Sequence, residues 1–537
     1  MASGHLQPRA RLERLSNNET VKTREMAMSV GNSAARLQWF NDLGFGLFIH
    51  WSIDSQIGSV IGHSMAGASQ DYLRKFSEEL PATFNPKRFD PDEWASLARL
   101  AGMRYVVFTT KHHSGFCMFP TETTSFNIAN TPFARDITGE VIDAFRRQGI
   151  AIGLYFSPDD FFFLREKGGF PIRRGIKPAE CEGLLDHNRA QLRELMGNYG
   201  KVDILFFDGP SDGLRETAWE LDPEVVVTRG AMQTPEQFIP GVQSDQPWEA
   251  CVTMGTGWQY KPTNEQYKSG TQLIELLIET RAKGGNLLLN IGPKPNGELA
   301  LEQENLLREI ALWHFVNGEA IYRTKPWRVP NEGDIWFTAQ NEGEAVYAFI
   351  EKGGVWPLRE RRGFALSSVR AGSETTVRVL GQADDAEVAD GAAVQWRQEG
   401  DHLQLSVART QRLYNNRHWP NPVVLKIERA EPGLVPPAIV TGDAVWDAVA
   451  EEWILHGELN AMGDNEAVSI GFQYRVWKRL TEEYDPWRES EFAERRTPGP
   501  HSARIGGLAG GTTYEFRAVA RYSAAEVYGD SVRFFLS

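Results

Sequence analysis

The side chains able to do acid, base or nucleophilic work in this sequence recur at the ends of apolar runs. Asp208 closes the run Ile204 to Phe207 in VDILFFDGP, and Gly209-Pro210 then turns the chain away. Four consecutive apolar residues suit a strand buried on both faces, as in a parallel sheet. A carboxylate at the mouth of such a strand is costly to bury unless it is paired or reactive. Other runs end in the same way: His50 follows GLFI, Lys111-His112-His113 follow VVFTT, Tyr155 and Ser157 lie in GLYFS, and Arg229 follows VVVT. Taken singly, each reads as a cap, a satisfied core histidine or a buried ion-pair partner. Gathered on one rim, they would offer donors and acceptors in fixed directions, which suits a small ligand rich in hydroxyls.

Two glutamates follow Asp208: Glu236 in QTPEQFIP, and Glu249 in PWEACVT directly after Trp248. A carboxyl kept protonated by apolar neighbours can serve as a general acid beside an ionised carboxylate acting as nucleophile. Retaining glycoside hydrolysis needs such a pair, and spacing alone leaves both glutamates open, each also reading as an ordinary loop acid. Trp258 in GTGWQY could offer a sugar an apolar ring face. A metal reading would draw on His50, His112, His113 and Asp208. It is set well behind. The first strand carries His50-Trp51-Ser52 and not His-x-His, and adjacent His112 and His113 point in opposite directions if strand geometry persists.

Elements that would hold these side chains alternate along the chain. GLFIHW, RYVVFTT, IAIGLYFS, VDILFF, VVVTRG and NLLLNIGP read as strands. FDPDEWASLARLAG reads as a helix with Asp90 as N-cap, Pro91 at the first position, and Trp94, Leu97, Ala98 and Ala101 on one face. TGEVIDAFRRQG, Leu184 to Tyr199 and TQLIELLIETRAKGG read likewise as helices. This alternation predicts an α/β fold, a (β/α)8-like TIM barrel over residues 36–329, with reactive residues at the C-terminal strand ends. Residues 1–35 read as a polar arm. From Asp334 the pattern turns to β runs between turns, predicting a sandwich over 330–432. A Pro-rich linker, EPGLVPPAIV, then suggests that the strands of 433–537 form an independent module.

The chain has 537 residues, enough for two to four domains. Its 57 basic against 71 acidic residues, with no basic cluster, argue against nucleic acid and against an anionic membrane surface as partners. Three widely spaced cysteines exclude a disulfide framework and a structural zinc site. The N-terminus has no apolar run of signal-peptide length and nothing approaches a membrane span, so the sequence as given reads as cytoplasmic.

The ordered set FGLFIHW, FNPKRFDPDEWASLARLAGMRYVVFTTKHHSGFCMF, GLYFSPDDF, FFDG, TPEQFIP, PWEACVT and GGNLLLNIGP resembles glycoside hydrolase family 29, the retaining α-L-fucosidases, over about Trp39 to Trp327. The following β region is similar to that family's C-terminal sandwich. GLAGGTTYEFRAVARYSAAEVYGDSVRFF resembles the closing strands of a fibronectin type III domain. The first resemblance implies a fucosylated oligosaccharide or glycoconjugate as substrate and no cofactor. It implies Asp208 as nucleophile, His50, His112, His113 and Tyr155 on the sugar hydroxyls, Arg229 in support and Trp258 lining the pocket. It favours Glu236 over Glu249 as acid/base. Three features depart from the family pattern. Gln70-Asp71-Tyr72 is the nearest equivalent of the Glu-Trp-Tyr run that helps hold the sugar, Ser114 replaces the usual Asp after the histidine pair, and the segment from Arg229 to Glu236 is short. The rival readings are a retaining glycosidase for a fucose-like sugar such as a galactoside, and an inactive carbohydrate-binding protein.

Overall fold

The computed structural model of the chain describes residues 31–536 apart from 169–171, 242, 245, 352–354, 415–417, 479–485 and 524. The polar arm expected over 1–35 lies almost wholly outside the described residues. Helix α1 (Ala34–Leu43), capped by Ser33, feeds strand β1 (Phe45–Ile49). Six further strands join it: β2 (Tyr105–Lys111), β3 (Ala151–Phe156), β4 (Ile204–Phe207), β5 (Val226–Val227), β6 (Glu249–Thr253) and β7 (Asn286–Ile291). They form one parallel sheet in the order β5-β4-β3-β2-β1-β7-β6. Every residue of these strands but Ala151 is buried, which is why they read as unbroken apolar runs and not as alternations.

Helices cover the outside of the sheet: α2 (Gln70–Thr83), α3 (Pro91–Leu100), α4 (Ile137–Arg147), α5 (Phe161–Lys167), α6 (Leu184–Asn198), α7 (Leu214–Leu221), α8 (Gly270–Ala282) and α9 (Leu301–Asn317). In α3, Asp90 accepts from the amides of Asp92 and Glu93, a cap worth about 1 kcal/mol, and Pro91 takes the first position. Trp94, Leu97 and Ala98 are buried on the face the sequence indicates. Trp51, just past β1, turns away from the strand ends and packs among Phe84, Phe89 and Trp94.

Among the described residues the sheet has seven strands, and the eighth place is filled irregularly. The segment after β5 runs beside β6, where Glu249 N donates to Gln233 O (3.1 Å), Cys251 N to Pro235 O (3.0 Å) and Gln237 N to Cys251 O (3.0 Å). Pro235 has no N–H to give a ladder, so this seam never becomes a regular strand. One element differs from the sequence reading, and one stretch left without an element gains one. PWEACVT, read as loop, is strand β6, and the stretch holding Gln70-Asp71-Tyr72 is the start of α2, capped by Ser69.

Strand β8 (Thr324–Glu332) opens an antiparallel sheet with Ile335–Gln340, Ala345–Ile350, Val369–Val379 and Val423–Pro432, and a three-stranded sheet holds Arg361–Leu366, Val394–Glu399 and His402–Ala408. This unit packs on α9: Trp313 stacks toward Phe349 and its Nε1 donates to Pro422 O (2.9 Å). Beyond it, Ala438–Asp447, Glu452–Ala461 and Gly499–Ile505 form one sheet, while Val468–Val476, Thr512–Tyr522, Ala525–Tyr528 and Val532–Leu536 belong to another. The Pro-rich connection is not free. Gly433 N donates to Ser368 O (2.9 Å), Leu434 N to Ser367 O (3.0 Å) and Arg328 Nη1 to Gly433 O (2.5 Å). Among the described residues no helix is long and apolar enough to cross a membrane.

Candidate active site

Asp208 leaves the end of β4 as its amide donates to Phe156 O (3.1 Å), which keeps the backbone in register with β3 for one residue past the strand. The side chain is thereby aimed into the mouth of the barrel. Tyr155 OH donates to Oδ2 (2.8 Å) and His113 Nε2 lies 3.3 Å from the same oxygen. Arg229 Nη1 donates to Oδ1 (2.9 Å) and Arg174 Nη2 lies 3.6 Å from it. Burial pushes this carboxyl up, but the His113 ring beside Oδ2 and the Arg229 guanidinium on Oδ1 overcome that and hold it well below the usual range. It is an ionised carboxylate with both oxygens bound.

Arg229 joins the two parts of the site. Its guanidinium lies over the Phe206 ring (4.9 Å), Nη1 holds Asp208, and Nη2 donates to Glu236 Oε2 (3.0 Å). Two carboxylates are therefore held by the two tips of one planar fork. Asp208 comes from β4, whereas Glu236 comes from the irregular seam beside Cys251 and keeps a partly exposed side chain.

The histidines arrive with fixed proton positions. Asn290 Nδ2 donates to Trp258 O (2.5 Å), so its Oδ1 accepts from His50 Nδ1 (2.6 Å) and leaves His50 Nε2 a lone pair. Burial lowers the His50 pKa to about 3, which keeps the ring neutral. Ser157 gives its proton to Asp159 O (3.0 Å), so His113 Nδ1 donates to Ser157 Oγ (2.6 Å). His112 stacks on Tyr155 with centroids 5.1 Å apart and rings nearly parallel, and burial holds it well below its ordinary pKa. Trp258 lies 4.9 Å from His50 and closes the other wall of the cavity.

Eight of the nine residues weighed for a catalytic or sugar-binding part gather here: His50, His112, His113, Tyr155, Asp208, Arg229, Glu236 and Trp258. Glu249 does not line the cavity. Strand register sets it level with Asn286 at the start of β7, at the floor of the barrel, whereas Asp208 follows Phe207 at the top. Tyr105 OH donates to Glu249 Oε1 (2.7 Å), and burial raises this carboxyl to about 7. Gln70-Asp71-Tyr72 does not reach the cavity either: Asp71 is exposed and pairs with Arg74 and Lys75 on its own helix.

Two residues not anticipated from sequence complete the lining. His63 stands in the connection after β1, with its ring 5.1 Å from His113 and 5.7 Å from His112. Buried Asp54 fixes that connection by accepting from Gly62 N (2.7 Å). Gly62 has φ +66°, and a Cβ there would stand 2.9 Å from Ser114 N, so glycine alone lets the loop come this close. Arg174 comes from the long insertion after β3, where Asp159 accepts from the amides of Gly175 (2.9 Å) and Ile176 (3.1 Å) and holds the guanidinium over Asp208. The directional argument against histidine ligation is corrected by this geometry. Strand β2 ends at Lys111, so strand alternation does not persist, and nitrogens of His63, His112 and His113 lie within 4.8 Å of one another. His113 is nonetheless already engaged at Nδ1 by Ser157, and its Nε2 faces Asp208 at 3.3 Å.

The chemistry this supports is nucleophilic attack by one carboxylate with proton transfer by a second, on a ligand whose hydroxyls meet imidazoles and whose apolar edge meets Trp258 and Phe48. The family model described as alpha-L-fucosidase matches residues 14–319. The chain is 31% identical to mouse tissue alpha-L-fucosidase over 396 residues, 65% of this chain and 84% of the relative. It is equally similar to the human tissue enzyme, 31% over 392 residues, covering 64% and 80%. Among solved structures, alpha-L-fucosidase isoenzyme 1 from Paenibacillus thiaminolyticus superposes with TM-score 0.60 at 28% identity, covering 74% of this chain and 99% of that one. The Thermotoga maritima alpha-fucosidase in complex with fucose superposes with TM-score 0.57 at 25% identity, covering 72% and 96%.

Proposed function

Because the chain belongs to the alpha-L-fucosidase family, we infer that it is an exo-acting retaining α-L-fucosidase that removes terminal α-L-fucosyl residues from oligosaccharides or glycoconjugates. The observation that carries the reading is the single guanidinium of Arg229 holding Asp208 and Glu236 together at the cavity. Two carboxylates bound to one guanidinium face the same cavity, as the nucleophile and acid/base of a retaining enzyme must.

In the first step Asp208 attacks C1 of the fucosyl unit as the bond from C1 to the leaving oxygen breaks, and Glu236 gives that oxygen its proton. In the second, Glu236 takes a proton from water, and the oxygen of that water attacks C1 and releases Asp208. Arg229 and His113 keep Asp208 ionised, and the Tyr155 hydroxyl helps fix its orientation. His50 and His112, held neutral, accept and donate to the sugar hydroxyls, and Trp258 meets the apolar edge of the ring. His63 and Arg174 add a further imidazole and a guanidinium to the cavity wall. We read residues 438–536 as a fibronectin type III-like module, on its two antiparallel sheets.

Hydrolysis of a panel of nitrophenyl glycosides tests the reading. Turnover of the α-L-fucoside with little on galactosides is expected. A galactoside preferred over the fucoside would support the rival sugar, and no turnover of any glycoside together with sugar binding would leave a carbohydrate-binding protein.

A further inference from the structure

We propose that the C-terminal sandwich is a working part of the active site, bracing the loop that carries Glu236 and so fixing the acid/base in place. The proposal rests on the assignment of Glu236 made above. After Glu236 the chain is held on the barrel side at Gln237, whose amide donates to Cys251 O (3.0 Å), and at Pro240, whose carbonyl accepts from Lys283 Nζ (2.7 Å). Gln237 has φ +61°, an unfavourable conformation for a residue with a side chain, kept by a bond from Thr253 N (3.3 Å) to its side-chain oxygen. Phe238 then emerges partly exposed, and Gly241 leaves the barrel surface.

At Gly241 the loop meets the turn between Ala525–Tyr528 and Val532–Leu536. A Cβ on Gly241 would lie 2.6 Å from Asp530 Cα, 2.6 Å from Gly529 O and 2.9 Å from Ser531 N, so backbone rests on backbone with no room for any side chain. The turn is itself rigid. Gly529 N donates to Ala518 O (2.9 Å), and a Cβ on Gly529 would strike Thr441. Alongside, the Arg533 guanidinium stands 5.2 Å from the Phe238 ring and 4.3 Å from the Trp477 ring, bridging the loop to the sandwich. A stiff stop at Gly241, four residues beyond a strained Gln237, limits how far Glu236 can swing from Arg229. A displacement of about 1 Å is enough to cost a catalytic group much of its effect.

The test uses the full chain with Gly241→Val, which pushes the turn away, and Arg533→Ala, which removes the bridge without adding bulk. Both should lower kcat/KM on a fucosylated oligosaccharide, Gly241→Val by about 10- to 100-fold, while nitrophenyl fucoside, whose leaving group needs no acid, changes less than about 3-fold. Arg533→Lys should recover part of the loss. In a Glu236→Ala background Gly241→Val should add nothing further on the oligosaccharide, because the group it positions is gone. Equal loss on both substrates, or full additivity with Glu236→Ala, would overturn the brace. Absence of the selective loss in Glu236→Ala alone would instead overturn the acid/base assignment. Melting temperature measured for each variant separates misfolding from mispositioning, and Arg533→Ala decides the matter if Gly241→Val does not fold.

Discussion

Asp208 has each carboxylate oxygen held by a separate donor, Tyr155 on Oδ2 and Arg229 on Oδ1. Asp208→Ala should therefore fold and lose turnover by about 10⁴-fold or more, and added azide should yield the β-fucosyl azide from an activated substrate. Near-normal activity in that variant would sink the proposed mechanism. Glu236→Ala should spare attack on nitrophenyl fucoside, slow hydrolysis of the intermediate, and give the α-fucosyl azide when azide replaces water. Glu249 offers a contrast in which pH decides. Its folded pKa is about 7 against an ordinary 4.5, so the folded state holds a proton that the unfolded state has released between those values. Stability is then lost as pH rises through that window, by at most about 3 kcal/mol at 1.36 kcal/mol per unit. Glu249→Gln should accordingly keep the Tyr105 bond, raise the melting temperature at pH 8 relative to wild type, and leave it little changed at pH 4 to 5. Azide rescue in a Glu249 variant, with none in Glu236→Ala, would reverse the roles. The sequence made Asp208, Arg229 and the histidines legible because each ends an apolar strand. His63 and Arg174 stand in loops with no such run, and their approach depends on Asp54 and Asp159 gripping amides near them in the chain. No periodicity announces that.

At the scale of elements, side chains at strand ends are set by register, whereas loop residues need anchors of their own. Asp159 shows this. Its buried carboxylate holds two amides of the insertion and stands 3.7 Å from His113. Asp159→Ala should cost about 1–3 kcal/mol by leaving those amides unpaired, and raise KM by freeing Arg174. Arg174→Ala should raise KM alike with the melting temperature unchanged. If the two variants were equally destabilised, or if neither altered KM, Arg174 would not belong to the site. Helices with a cap and an apolar face, such as α3, were legible in the sequence, and so were the long apolar strands. Strand β5 is only two residues long but lies in the apolar run VVVT, which was legible, whereas β6 begins with a glutamate and reads as loop. Their seam is made by carbonyls of Gln233 and Pro235, a pairing between segments that nothing local encodes.

At the scale of the whole molecule, the sequence and the structure part over the last hundred residues. The Pro-rich linker suggests a detachable module, and a stretch rich in proline does often mark a boundary where few contacts cross. Here Gly433 and Leu434 are bonded to Ser368 and Ser367, Arg328 reaches Gly433, and the turn at Gly529 to Ser531 lies against Gly241. Such docking is invisible in sequence because a glycine that admits another backbone looks like any glycine in a loop. Deleting Pro436 to Ser537 should therefore do more than trim the protein. It uncovers Phe238 and the surface beneath the turn, and it frees the loop after Gln237. The barrel should melt several degrees lower, at about 2–4 °C for each kcal/mol lost from a domain of 150–250 residues and less in a larger one. Oligosaccharide hydrolysis should fall further than nitrophenyl fucoside hydrolysis, since the loss reaches catalysis through Glu236. Thermal unfolding and paired kinetics on the truncated chain measure both effects. A truncated protein with unchanged melting temperature and an unchanged ratio between the two substrates would show that these contacts are incidental and that the linker reading was correct.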